Sequence, residues 1–245
     1  MPFTFSHPAI VLPLKYLPKK WFSFTGLIIG SMTPDFEYFI RMKVQSNYSH
    51  TIAGIFWFDL PLALFLSFIF HNIVKHQLFD NLPNNIRSRF ILFKAFKWND
   101  YFKQNWIIVM VSILIGTASH LFWDSFTHDH GYFVNHIPEL KESILIFNKK
   151  IPYLKVAQHS SSFIGGIIIL FSFFKLPKSN TYKNSTNKFY WISVLLLSIA
   201  ILSIRFAIGL SLKQYGHIIV SGISSFLFAL ILTPLFLWKK LPLRD

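Results

Sequence analysis

The chain has 245 residues, 53% of them hydrophobic and 14% charged, with a formal net charge of +14 and a mean hydropathy of +0.45. That balance excludes an ordinary soluble domain and predicts an all-α, multi-pass helical membrane protein. With no cysteine, disulfide frameworks and thiolate metal sites are excluded as well.

The opening Met1-Pro-Phe-Thr-Phe-Ser-His7 has no basic region leading into an apolar core and a cleavage site, so no removable signal peptide is expected. Trp21–Ile40 is ambiguous, because Asp35 and Glu37 interrupt it and leave only Trp21–Met32 clearly apolar. Crossing as a sixth span would put His7 on the cytoplasmic side, as Lys15, Lys19 and Lys20 favour. A re-entrant or surface-packed helix would instead bring His7 to the outer side. Asp35 follows Pro34, with Thr33 as a possible N-cap. Its carboxylate either favours a helix N-terminus or serves a site, and Glu37 is either similar or an outlying acid.

Five stretches then read as spans: Thr51–Val74, the run ending near Asp124, Ser160–Phe174 (extendable back to Val156), Phe189–Leu210 and His217–Trp238. Each approaches the roughly 20 residues that cross about 30 Å of hydrocarbon. Asp59 and Arg205 are charges inside spans and are expected to pair, Asp59 alternatively hydrogen-bonding a ligand His. Between the first two spans, Asn85–Trp106 mixes Ile86, Phe90, Phe93, Phe96, Trp98 and Phe102 with basic residues. It predicts an interfacial helix on an anionic leaflet rather than a nucleic-acid surface.

Basic residues fall in alternate connections. Lys75, Arg87, Arg89, Lys94, Lys97 and Lys103 flank the first, Lys175, Lys178, Lys183 and Lys188 the second, and Lys239, Lys240 and Arg244 follow the last span. The positive-inside rule places these, and the C-terminus, in the cytoplasm. Pro177–Lys188 reads as a polar connector. The expected division is a metal-site membrane domain over 1–175, a connector over 176–188 and a two-helix element over 189–245.

His120-Leu-Phe-Trp-Asp124-Ser-Phe-Thr127-His128 closes the second span. At about 3.6 residues per turn, positions 120, 124 and 128 share one helix face. Two imidazoles and a carboxylate directed one way suit a divalent metal. The predicted topology brings His50, at the start of the first span, and His159, at the start of the third, to the same outer face. His71, His76 and His217 read as interfacial, and His130 and His136 as solvated in the outer loop. No Gly-rich phosphate loop, Gly-x-Ser-x-Gly elbow or His-Glu-x-x-His is present.

The motif order Met-Pro-Phe-Thr-Phe-Ser-His7-Pro, Gly30-Ser-Met-Thr-Pro34-Asp35-Phe-Glu37-Tyr, Ser49-His50, Phe58-Asp59-Leu-Pro61, Phe70-His71 and His120-x₃-Asp124-x₃-His128 resembles the bacterial membrane proteins grouped as domain of unknown function 4184. More remotely, the order Asp35, His50, His120, Asp124, His128 is similar to the metal-ligand order of secreted zinc-dependent phospholipase C and of membrane-bound metal-dependent hydrolases. That resemblance implies a helical core, a cluster of divalent metals and phosphoester hydrolysis. It also makes Asp35 and His50 ligand candidates. Those phospholipases carry a late His with a Glu one turn on, whereas His159 is followed by Ser160-Ser-Ser-Phe163. One or two metals are therefore expected rather than three.

The candidate ligands are His7, Asp35, His50, His120, Asp124, His128 and His159, with zinc first and manganese or iron also compatible. Asp35 would bridge a second metal or act as general base. The expected substrate is a membrane lipid or other small amphiphilic phosphoester at the outer face of a bacterial cytoplasmic membrane. The opposing class is a non-enzymatic metal-binding protein, a transport component or assembly factor. It would show polar residues stepping across the bilayer rather than gathered at one face.

Overall fold

A backbone crossing hydrocarbon must satisfy its own N–H and C=O groups, so long apolar runs become helices. The computed structural model describes residues 3–18, 20–179 and 188–237. Its principal helices are α1 (Phe24–Arg41), α2 (the composite Ile52–Asn81), α3 (Trp98–Asp124), α4 (Tyr153–Phe174), α5 (Lys188–Ala207) and α6 (Tyr215–Leu237). Among the described residues, α2 to α6 are the five long and apolar enough to cross a membrane, and the chain is a multi-pass membrane protein. The ambiguous Trp21–Ile40 forms most of α1, which is not among the five.

Some boundaries differ from those expected. Helix α2 runs past Val74 to Asn81, and α4 begins at Tyr153 after Pro152 rather than at Ser160 or Val156. The added turns are polar, which hides them from an apolar-run criterion. Within α2, Leu60 N–H reaches back to the Ile55 carbonyl, a wide turn just before Pro61, whose ring disfavours normal α geometry. A second wide turn closes from Lys75 N–H to the Phe70 carbonyl. The interfacial helix expected over Asn85–Trp106 is not continuous. Asn84–Phe90 is helical, Ile91–Phe93 forms a tighter turn, and α3 starts at Trp98 with a non-helical residue at Asn105. A β-hairpin pairs β1 (Ser143–Ile146) antiparallel with β2 (Lys149–Pro152). Its turn residues Phe147 and Asn148 have φ of 48° and 60°, as a two-residue hairpin loop demands.

The chain gathers into two units. The first comprises Met1–Asp35, Tyr48–Leu64 and Asn105–Lys175. Here α1 and α3 meet backbone to backbone. A Cβ on Gly30 would lie 2.4 Å from the Ile113 carbonyl oxygen, and one on Gly116 2.4 Å from that of Leu27. Small residues permit such approach between membrane helices. Two hydrogen bonds fix the pair: Ser23 N–H donates to Ser112 Oγ at 2.7 Å, and Thr117 Oγ1 donates to the Gly30 carbonyl at 3.2 Å. The N-terminal turns pack on α4, where Phe3 N–H donates to Ser162 Oγ and Ser6 Oγ donates to the Ser162 carbonyl. Helices α3 and α4 are joined by Trp123 Nε1, which donates to Ser161 Oγ at 3.0 Å.

The second unit comprises Phe36–Asn47, Phe65–Gln104 and Leu176–Asp245. Helices α5 and α6 bury Tyr190, Val194, Ala229 and Leu230 with Val74 of α2. Buried Glu37 clamps the turn after α1: its Oε1 accepts from Arg41 Nε at 2.8 Å and Asn47 N–H at 2.9 Å. Asp59 is buried in the first unit, and Arg205 belongs to the second. Of the expected connector, residues 180–187 lie outside the described residues, as do Lys19, Lys239, Lys240 and Arg244.

Candidate metal centre

All the described donors of this site belong to the first unit. Asp35 lies on α1, one turn after Ser31, and is fully buried. His50 ends the loop before α2. The cap Thr51 behind it accepts the Gly54 N–H on Oγ1 and donates from it to the Tyr48 carbonyl, both at 2.9 Å. His120 and Asp124 face the same way from the last turn of α3.

The four side chains converge. His50 Nε2 lies 3.5 Å from both Asp35 Oδ1 and Asp124 Oδ2; His120 Nε2 lies 3.6 Å and 3.3 Å from the same two oxygens. One ligand atom from each residue can be chosen so that all lie within 4.8 Å of one another. These spacings exceed a good hydrogen bond, for which N to O would be about 2.9 Å. They match instead the donor–donor spacing of about 3.3–3.6 Å that follows from tetrahedral bonds of roughly 2.0–2.2 Å to a borderline divalent ion. Both oxygens of Asp35, both of Asp124 and His120 Nε2 are buried and make no hydrogen bond. Buried polar atoms left in that state are costly, and a shared cation would satisfy one oxygen of each carboxylate together with His120 Nε2. The residues fit a metal.

Neighbouring groups set the imidazole orientations. The Ser31 carbonyl lies 2.7 Å from His120 Nδ1 and can only accept, so the proton sits on Nδ1 and the Nε2 lone pair faces the carboxylates. His50 Nδ1 lies 3.0 Å from Ser49 Oγ, which turns its Nε2 inward. Burial opposes charge on Asp35, but the His120 and His50 imidazoles outweigh it and hold the carboxyl below the usual range. Burial likewise opposes charge on His50, and the nearby Asp124 and Asp35 carboxylates outweigh it, raising the imidazole above its ordinary value. Two carboxylates in one buried site attract positive charge.

His7 also reaches the cluster. It is fully buried, stacks on His120 with ring centroids 3.7 Å apart, and places Nε2 3.6 Å from Asp124 Oδ1. Burial, then the adjacent His120, pushes its pKa down to about 3, keeping it neutral. His128 stands at the rim, its side chain 29% exposed. Its Nδ1 donates to the Asp124 carbonyl at 3.1 Å and lies 3.5 Å from Asp124 Oδ2. It is not one of the four converging donors, because α3 has ended by then. His159 is exposed on α4 and outside the group. His130 and His136 are exposed.

Sequence reasoning missed Ser31 and Ser49, the groups that orient two ligands. Ser31 acts through a main-chain carbonyl, which leaves no side-chain signature; Ser49 is signalled only by adjacency to His50.

The family model described as domain of unknown function (DUF4184) matches residues 1–235. No curated protein and no solved structure matches the chain.

Proposed function

The chain belongs to the family described as domain of unknown function 4184, and we propose from the site itself that it is a membrane-embedded, metal-dependent hydrolase of a lipid-like phosphoester. The observation that carries this reading is the convergence of Asp35, His50, His120 and Asp124. Zinc is the first candidate for a mixed set of imidazoles and carboxylates, with manganese and iron next. When bound, such an ion supplies Lewis acidity toward a phosphoryl or acyl oxygen and lowers the pKa of water.

The chain's own groups divide the remaining work. His50 and His120 bind through Nε2, and Ser49 and Ser31 hold their rings in place. Asp124 offers Oδ2 to this set and Oδ1 to His7. Asp35, with Oδ1 toward the imidazoles, keeps Oδ2 for a proton or for a second ion, which suits a general base. Access is from the side of His50 and His128, whose side chains are 20% and 29% exposed; those of the other donors are 6% exposed or less. Water and a polar headgroup would enter there.

The order Asp35, His50, His120, Asp124, His128 supports a phosphoester substrate through its resemblance to zinc-dependent phospholipase C. The loop charges support a bacterial cytoplasmic membrane with the site at its outer face and the C-terminus inside. A transport role has less support, because the donors gather at the end of α3 instead of stepping along it.

The test is metal analysis of purified full-length protein beside a phospholipid hydrolysis screen, with Asp124→Asn as control. The parent should carry metal and release a headgroup or phosphate. Asp124→Asn should lose both, with metal affinity down at least about 100-fold, beyond what removing an outer partner does. A variant binding metal like the parent, with neither protein hydrolysing any ester offered, would sink the reading.

A further inference from the structure

The second unit holds a polar cavity of about 420 Å³ between the end of α2 and the start of α3. One wall is aromatic: His71, expected to be interfacial, is buried and stacks on Trp98 with 5° between the ring planes. Into the cavity comes Lys75, only 2% exposed. Its ammonium donates to the Phe96 carbonyl at 2.6 Å. No carboxylate forms an ion pair with it among the described residues. Asp80 is engaged elsewhere, 2.8 Å from Lys94 and 4.0 Å from Arg87. Lys94 and Lys97 also line the space, opposed by Asp100 at an exposed position.

A buried ammonium has three protons to place and a charge to balance, and one carbonyl does neither fully. In a membrane protein that imbalance marks a ligand position. We propose that this cavity binds a phosphate oxyanion, held by Lys75 from within and by Lys97 at the mouth. The same chemistry is offered by a phospholipid headgroup at the membrane surface and by free phosphate. This site is separate from the candidate metal centre and does not rest on its function.

The experiment uses the full-length chain in detergent with chelator present, so that phosphate cannot report through a metal. In one arm, inorganic phosphate is titrated against chloride at equal ionic strength, following Tm. In the other, the protein is placed in phosphatidylcholine nanodiscs with and without phosphatidic acid. A saturable rise in Tm in the first arm identifies free phosphate as a ligand; a rise in the second alone identifies the headgroup. Lys75→Met should weaken the effect about tenfold, as loss of a charge-assisted hydrogen bond does. Lys97→Gln, at an exposed position that does not threaten folding, should weaken it by a smaller factor. No rise in either arm overturns the proposal, as does a rise that both variants retain in full.

Discussion

His7 and His120 stack face to face, 3.7 Å between ring centroids, although one lies in the N-terminal turns and the other on the last turns of α3. Stacking at that distance needs at least one neutral ring, and burial keeps His7 neutral. The contact ties the first residues of the chain to a ligand imidazole and leaves His7 Nε2 beside Asp124 Oδ1.

His7→Ala should therefore lower metal affinity by about 10–100-fold, the range for partners that orient a ligand. His159→Ala, at an exposed position on α4, should leave it unchanged. Titration of each purified variant with zinc against a competing chelator decides the matter. Equal losses in the two, or none in either, would contradict the placement of His7.

Packing of α1 on α3 should be as important as the ligands. A Cβ on Gly30 would meet the Ile113 carbonyl oxygen at 2.4 Å, and backbone cannot swing aside as a side chain can. Gly30→Ala is expected to cost about 1–3 kcal/mol, as overpacking does, and to lower metal content by shifting Asp35 relative to His120. Gly166→Ala, which has open space around it, is the matched control. A Gly30→Ala protein with parental Tm and metal content would refute the argument.

Metal loading should fall as pH falls, starting above the pKa of an ordinary histidine. Asp124 and Asp35 raise the His50 imidazole despite its burial, so in the metal-free site a proton already competes for Nε2 near neutrality. The sign follows from the ligand form: protonated His50 cannot bind, and lower pH favours it. Zinc affinity measured from pH 8 down to pH 6 should decline in the parent and decline less in His50→Gln. A flat profile in the parent would overturn this assignment.

Topology has its own test. Fusions of alkaline phosphatase after Asn84 and at the C-terminus should be inactive, because basic residues concentrate in those segments. An active enzyme at either position would reverse the assigned orientation and put the site on the other face.

The spans were legible because an uninterrupted apolar run is a one-dimensional signal. Their polar ends were not, as the added turns of α2 and α4 illustrate. His120 and Asp124 could be read from helical spacing. At His128 the same spacing brings the imidazole to the rim, because α3 stops at Asp124 and the chain turns His128 Nδ1 onto the Asp124 carbonyl. Asp35 could be placed only through motif order, and His50 only by its assigned face and motif order, since what brings them in is the Gly30–Gly116 backbone contact and the capped loop before α2. His159 sits within α4 rather than at its entrance, a consequence of the helix starting at Tyr153.

The four donors come from positions 35, 50, 120 and 124, and this spacing sets a schedule for biosynthesis. A nascent chain that has inserted only α1 and α2 carries one carboxylate and one imidazole, too few to retain an ion against cellular competitors. The remaining pair arrives together, with the last turn of α3. Under the proposed metal reading, capture would follow insertion of α3, and the ion would close a loop of the chain reaching from Asp35 to Asp124. A cell starved of the ion would then accumulate inserted but unfastened protein, recognisable by protease cleavage between residues 42 and 51 that metal replenishment suppresses.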